Sequence, residues 1–481
     1  MATTRTTVTS FTTGQESAAP PPVPYAFLFI IVGMIVPALI AYGFGTLNET
    51  QVIAVILAIL GLCGILARPF VGLIFFTCLL YTRPEESIPA LAGMHFTLIV
   101  ALVTLIGMLV QFALHRVPLV RTPFIGMMIG FAVAGMVSGA VAGTFSDATM
   151  DFARLVVLIL LILNLMRTPD RYAAFVTALI IFTCYLALYS IYLFQSGIAV
   201  IDNGMVEGLA RSTGTGIFSD PNDLAATFVA GLALTLTRVL QNRKYKRIFY
   251  SGLVLTLLWA IVLTNSRGGM LALIVVVGSF CLVFSRRKAL AIALAVVIVG
   301  IALVAAPGRM TNFDNKEESA NSRFGFWQEG LTQLELHPLS GVGYNKFPDV
   351  NGGFVAHNSF VNCFAELGFP AFYFWMGGIY LAFRRRTASQ GDPDGEFLPS
   401  QDLTGARLAL LGYLSAGFWI TRTYAPNLYI LLSLPLAQQI ATSGQHLLPI
   451  YNEEEKGKVR GRILLLCLGM LVLIRIMVQG K

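Results

Sequence analysis

The sequence predicts an all-α polytopic membrane protein with 13–15 transmembrane helices and one long extramembrane loop. Three observations predict it. Of 481 residues, 56% are hydrophobic and only 12% are charged, about half the charged share of a soluble domain. Mean hydropathy is +0.74. Apolar runs of roughly 20 residues, enough to cross about 30 Å of hydrocarbon, recur along the chain and suffice for about 13 full spans. A soluble globular protein is excluded. So is a disulfide scaffold, because the six cysteines all lie inside apolar runs as packing material. The net charge of +8 does not imply nucleic acid, since basic residues in a membrane chain chiefly set orientation.

Residues 1–24, rich in Thr, Ala and Pro, read as a disordered cytoplasmic tail. The first apolar stretch starts near Tyr25 and is long enough to span, which argues against a cleaved signal. Apolar helices follow near 25–45, 51–67, 69–82, 94–114, 123–145, 150–166, 172–196, 222–240, 248–264, 268–284 and 289–306. These make up an N-terminal membrane region, 25–306. A long extramembrane loop, 307–357, precedes a C-terminal membrane region, 358–478, with helices near 358–383, 405–421, 424–441 and 463–478. No period of 20–50 residues marks an internal repeat.

Charge orients the spans. With the tail inside, the inner loops carry twenty Lys and Arg, including the clusters Arg243–Arg247, Arg286–Lys288 and Arg384–Arg386. The outer connections carry eight: Arg83, Arg211, Arg267, Arg309, Lys316, Arg323, Lys346 and Arg422. This is the positive-inside bias, and the outward arginines stand against it.

Three outward features carry chemistry. Arg211-Ser212-Thr213-Gly214-Thr215-Gly216 precedes Asp220-Pro221-Asn222, a helix start whose free amides, with Arg211, suit an anion. A capped helix with a solvated arginine is the plainer reading. Asn265-Ser266-Arg267-Gly268-Gly269 is a hairpin that puts Arg267 at the membrane surface, paired, facing a wet cavity or reaching lipid headgroups, with glycines that let backbone amides approach a ligand. The long loop holds Arg323 and Trp327, then His337-Pro338 and Gly341-Val342-Gly343, and ends at His357-Asn358 where an apolar helix resumes. A helix N-terminus and nearby arginines disfavour the imidazolium, leaving His357 able to accept a proton; its plainer role is to cap the helix. No carboxylate cluster of metal-ligand type lies outside, so no metal or other cofactor is implied.

These motifs resemble the O-antigen ligase and polymerase superfamily, bacterial inner-membrane glycosyltransferases. Arg211 with Phe218–Asn222 matches the outward Arg and the Phe-x-Asn-Pro-Asn-like helix start, Asp220 replacing Asn. Ser266-Arg267-Gly268, Arg323 with Trp327, and Pro338–Gly343 match three further motifs. The ligase hallmark is His-Asn, nine residues, then Gly-x-x-Gly; His357, Asn358 and Gly368 fit it, and Ala371 stands at the second glycine. The resemblance implies a GT-C-like transferase using an undecaprenyl-diphosphate-linked glycan as donor. Arg211 and Arg267 would hold the diphosphate, and His357 would activate an acceptor hydroxyl. Arg323 (on a mobile loop), Asn222, Asn358 and Glu366 would make secondary substrate contacts. Glu366, two and a half turns into its helix, alternatively pairs with a buried partner. The acceptor would be a second carrier-linked glycan, the lipid A core or a protein; membrane lipids and the flippase and export machinery of polysaccharide assembly are candidate partners. Ala371 tilts the reading toward polymerase. A transporter or flippase for an anionic or lipid-linked substrate is the competing class, with Glu366 and Arg238 as its charged residues at membrane depth.

Overall fold

The computed structural model describes residues 49–84, 95–197, 200–201, 211–214, 218–284, 318–384, 401–443 and 453–480. The tail at 1–24, the expected spans at 25–45 and 289–306, and Gly216 lie outside the described residues. The described chain runs through α1 (Glu49–Ala67), α2 (Pro69–Thr82), α3 (Phe96–Leu114), α4 (Pro123–Val141), α5 (Phe145–Leu165) and α6 (Pro169–Gln195). Then come β1 (Val200–Ile201), β2 (Arg211–Ser212), α7 (Pro221–Gln241), α8 (Lys244–Leu263) and α9 (Arg267–Phe284). The last group is α10 (Glu318–Leu336), α11 (Phe347–Val350), α12 (Ser359–Phe383), α13 (Gln401–Gly417), α14 (Pro426–Ser443) and α15 (Glu453–Gln479). The fold is an all-α polytopic membrane protein, and among the described residues eight helices are long and apolar enough to cross a membrane.

Local chemistry sets the helix starts. Thr122 and Thr168 each precede a proline at the first helical position and accept a backbone N–H through Oγ1, from Ile125 at 3.2 Å and Arg171 at 3.4 Å. This cap starts α6 three residues earlier than apolar periodicity suggests. The expected spans 123–145 and 150–166 meet in a tight turn at Ala142-Gly143-Thr144, where Gly143 takes φ +76°. α7 is the most buried of the eight spans and packs against α8, α9 and α13. Small residues allow that approach: a Cβ on Gly412 would stand 2.9 Å from Val229, and one on Gly405 2.7 Å from Thr237. α3, α4, α8, α9 and α15 keep rows of exposed Leu, Ile and Val, the face that lipid would cover.

Four sequence expectations change. Arg323 sits on a helix, α10, within the segment expected as a mobile loop; polar residues hid that helix, which buries Trp327 completely. α13 stops at Gly417, not 421, and α14 starts at Pro426, proline being favoured at the first helical position. Residues 418–425 therefore form a loop disguised by apolar Phe418, Trp419 and Ile420. Arg238 is not at mid-membrane depth: it lies in the last turn of α7, where the helix field favours a cation, and donates to the Ala173 carbonyl at 3.2 Å near the start of α6.

α12 is the fourth. It is broken at Gly368, with φ +76° and ψ 178°. The break frees the Ala365 and Glu366 carbonyls, which accept from the Val342 and Gly343 amides at 2.9 Å each. Phe369 N–H in turn donates to the Pro338 carbonyl at 2.8 Å. The Pro338–Gly343 motif is thus the backbone patch for a broken helix, satisfying polar groups that the apolar surroundings would leave unpaired. Ala371 lies past the break in ordinary helix, where alanine fits as well as glycine.

Candidate active site

The site lies at one end of the helices, where β2, the starts of α7, α9 and α12, α10 and the 418–425 loop meet. β2 pairs with β1 in antiparallel register, Ile201 opposite Arg211. Arg211 is 9% exposed, so it is not a solvated arginine. Its Nε donates to the Thr264 carbonyl at 3.0 Å, at the C-terminal end of α8, and its Nη2 to Asn222 Oδ1 at 3.0 Å. Asn222 is a hub. Its backbone N–H and Nδ2 donate to Asp220 Oδ1 at 2.8 and 2.9 Å, while its Oδ1 also accepts from Ser266 Oγ at 2.8 Å. Residue 220 only has to offer an acceptor oxygen, which Asp does as well as Asn.

Ser266 caps α9, its Oγ accepting from Gly269 N–H at 3.1 Å. Gly269 therefore does not offer its amide to a ligand; it is a packing glycine set against Ala225 of α7. Arg211, Asn222, Asn265, Arg267, Gly268 and Arg323 line one cavity of about 310 Å3, floored by Trp327, Trp419 and Ile420. Three arginines from three separate elements thus line one space, suited to an anion with several oxygens.

His357 lines a second cavity of about 550 Å3, with Asp220, Asp223, Glu366, Arg422, Tyr344 and Tyr424 among its walls. The two spaces share Ile420, and the Asp220–Asn222 helix cap stands between them. His357 has left-handed backbone, φ 48°, and is half-buried. It does not cap α12. Asn358 does, its Oδ1 accepting from the Phe360 and Val361 amides at 2.9 and 3.2 Å. Asn358 is fully buried and lines neither cavity. The preceding carbonyl, of Ala356, accepts from the Trp327 indole N–H at 3.0 Å, which ties α10 to the histidine's backbone. Burial pushes the His357 pKa below its ordinary value; Arg323 and Arg422 add to the shift and Asp220 opposes it. Arg323 therefore bears on both cavities, lining one and adding to the downward shift that burial imposes on the imidazole of the other.

Glu366 has the buried partners that the plainer reading expected. Its carboxylate accepts from Tyr424 OH at 2.7 Å, Asn362 Nδ2 at 3.2 Å and the Phe347 amide at 3.4 Å. Four further groups enter the site that sequence reasoning passed over. Arg422 makes a bidentate ion pair with Asp223, joining the 418–425 loop to α7. Tyr344 donates to Asp151 at 2.6 Å and packs on Tyr424, the ring centroids 4.9 Å apart. Arg422 stood among the eight outward cations, which was the signal available for it.

Residues 251–376 match the model of the O-antigen ligase family. The match, over about a quarter of the chain, supports the resemblance to the O-antigen ligase and polymerase superfamily. The matched segment carries Arg267, Arg323, His357, Glu366 and Gly368; Arg211, Asn222 and Arg422 lie outside it. No curated protein and no solved structure matches the chain. The family function is glycosyl transfer of the O-antigen ligase or polymerase type by a multi-pass membrane protein.

Proposed function

We propose that this protein transfers a glycan from an undecaprenyl-diphosphate carrier to an acceptor hydroxyl at the periplasmic face of the bacterial inner membrane. It acts as a polysaccharide polymerase or an O-antigen ligase. One observation carries the reading: a cavity walled by Arg211, Arg267 and Arg323 adjoins a cavity holding a histidine whose pKa is depressed. The positive-inside bias supports a periplasmic site, since every basic cluster falls in the opposite loops.

In the proposed reaction the diphosphate lies among the arginines and the acceptor enters beside His357. The imidazole takes the hydroxyl proton as the acceptor oxygen attacks the anomeric carbon. The bond from that carbon to the diphosphate oxygen breaks, and its electron pair leaves on the diphosphate. Fixed guanidinium groups stabilise that charge without reorganising, which is the largest single contribution a protein can make to such a step. His357 then releases its proton to water. The two cavities give donor and acceptor separate approaches, and the reacting atoms meet where the spaces join beside Ile420.

The test uses purified protein with a carrier-linked glycan and candidate acceptors. His357→Ala is expected to bind donor and fail to transfer; Arg211→Ala and Arg267→Ala are expected to lose donor binding. Wild-type transfer rates from the stably folded variants would remove the assignment.

A further inference from the structure

Asn265 sits between the C-terminal end of α8 and Ser266, which caps α9. Its backbone is left-handed, φ 49°, a conformation that asparagine tolerates and glycine adopts freely. The side chain is 3% exposed, lines the arginine cavity, and has neither Nδ2 nor Oδ1 hydrogen-bonded. A buried carboxamide with both atoms unpartnered is costly, and glycine would relieve that cost and the backbone strain together. Folding alone therefore gives no reason for asparagine here.

The cavity's other polar groups define what such a side chain adds. The guanidinium groups of Arg211, Arg267 and Arg323 donate only. The Asn222 carboxamide is committed to Asp220, Arg211 and Ser266, and Ser266 Oγ to Asn222 and Gly269. Asn265 can both donate and accept there once its carboxamide, which is closed to solvent, turns into the space.

We propose that Asn265 reads the junction between carrier and glycan. Its Nδ2 donates to a phosphoryl oxygen of the diphosphate, and its Oδ1 accepts from a hydroxyl or N–H of the first sugar. This rests on the diphosphate reading of the arginine cavity, and names a specificity-determining residue within it.

Asn265→Gly keeps the backbone conformation and removes both bonds; Asn265→Asp keeps the acceptor and sets a negative charge against the anion. Binding is measured for undecaprenyl diphosphate, its glycan-linked form and phosphatidylglycerol, with Arg267→Ala in parallel and the melting temperature without ligand. We expect Asn265→Gly to melt no lower than wild type and to bind undecaprenyl diphosphate about tenfold more weakly, the loss of one hydrogen bond to a charged group. The glycan-linked form should lose more, and phosphatidylglycerol nothing. Asn265→Asp should weaken both diphosphates further at low salt. A lowered melting temperature with unchanged affinities would make Asn265 structural and overturn the proposal. So would an equal loss for phosphatidylglycerol, which would mark a general headgroup site. Wild-type affinities in both Asn265 variants, with Arg267→Ala impaired, would refute the role of Asn265 alone. Wild-type affinities in Arg267→Ala as well would remove the diphosphate reading beneath it.

Discussion

Replacing Gly368 by alanine tests how the broken helix α12 builds the site. Glycine is needed there on two counts. The backbone, at φ +76° and ψ 178°, lies in a region essentially reserved for glycine, at a cost of about 1–3 kcal/mol for other residues. A Cβ would also stand 2.6 Å from the Leu339 carbonyl carbon, 2.7 Å from its oxygen and 2.8 Å from Ser340 N. These are backbone atoms, so the Pro338–Gly343 segment must move as a unit. Doing so breaks at least the Phe369 to Pro338 hydrogen bond, adding about 0.5–1.5 kcal/mol. Gly368→Ala is therefore expected to cost roughly 2–4 kcal/mol. It should also lower transfer activity, because Tyr344 hangs from the displaced segment and Glu366 lies two residues before the break. Ala371→Gly, three residues on, restores the ligase hallmark and should cost no more than about 1 kcal/mol of helix propensity. Thermal unfolding in detergent, with transfer assays on the same preparations, measures both. If Gly368→Ala keeps wild-type stability and activity, the reasoning about the break is wrong.

Two further outcomes follow from the charges. As a base His357 must be neutral, so activity should rise with pH through its pKa and then level off. Burial and Arg323 depress that pKa, so the inflection should lie below 6.5, and Arg323→Gln should move it upward; a pH–rate profile whose inflection stays put or falls in that variant contradicts this. Arg422→Met should strand the Asp223 carboxylate, 5% exposed, without its partner and cost about 3 kcal/mol, partly recovered in the Asp223→Leu, Arg422→Met double variant; a double-mutant cycle with no coupling would show the pair to be idle.

Fold class and most spans were legible because a bilayer demands about 20 apolar residues, a signal that needs no tertiary knowledge. α10 was not, since its polar residues leave no apolar run of span length, and only the helical spacing of Phe324, Trp327, Leu331 and Leu334 marks its packed face. The 418–425 loop was hidden for the opposite reason, apolar residues occurring where the chain is not helical. Arg211, Arg267 and Arg323 could be found because each is an arginine held outside against the charge bias. The Arg422–Asp223 pair joins residues 199 apart and leaves no local trace. Gly368 was visible as a motif, but its cause lies in carbonyls that only the folded Pro338–Gly343 segment can satisfy. Asn265 shows no anomaly until its carboxamide is seen buried without a bond.

The most direct measurement is a structure of the protein with undecaprenyl diphosphate bound. It is expected to show phosphoryl oxygens within hydrogen-bonding distance of the Arg211 and Arg267 guanidinium groups, with the ester oxygen turned toward the wall shared with the His357 cavity. Diphosphate density at any other place on the protein, with the arginine cavity empty at saturating ligand, would contradict the account.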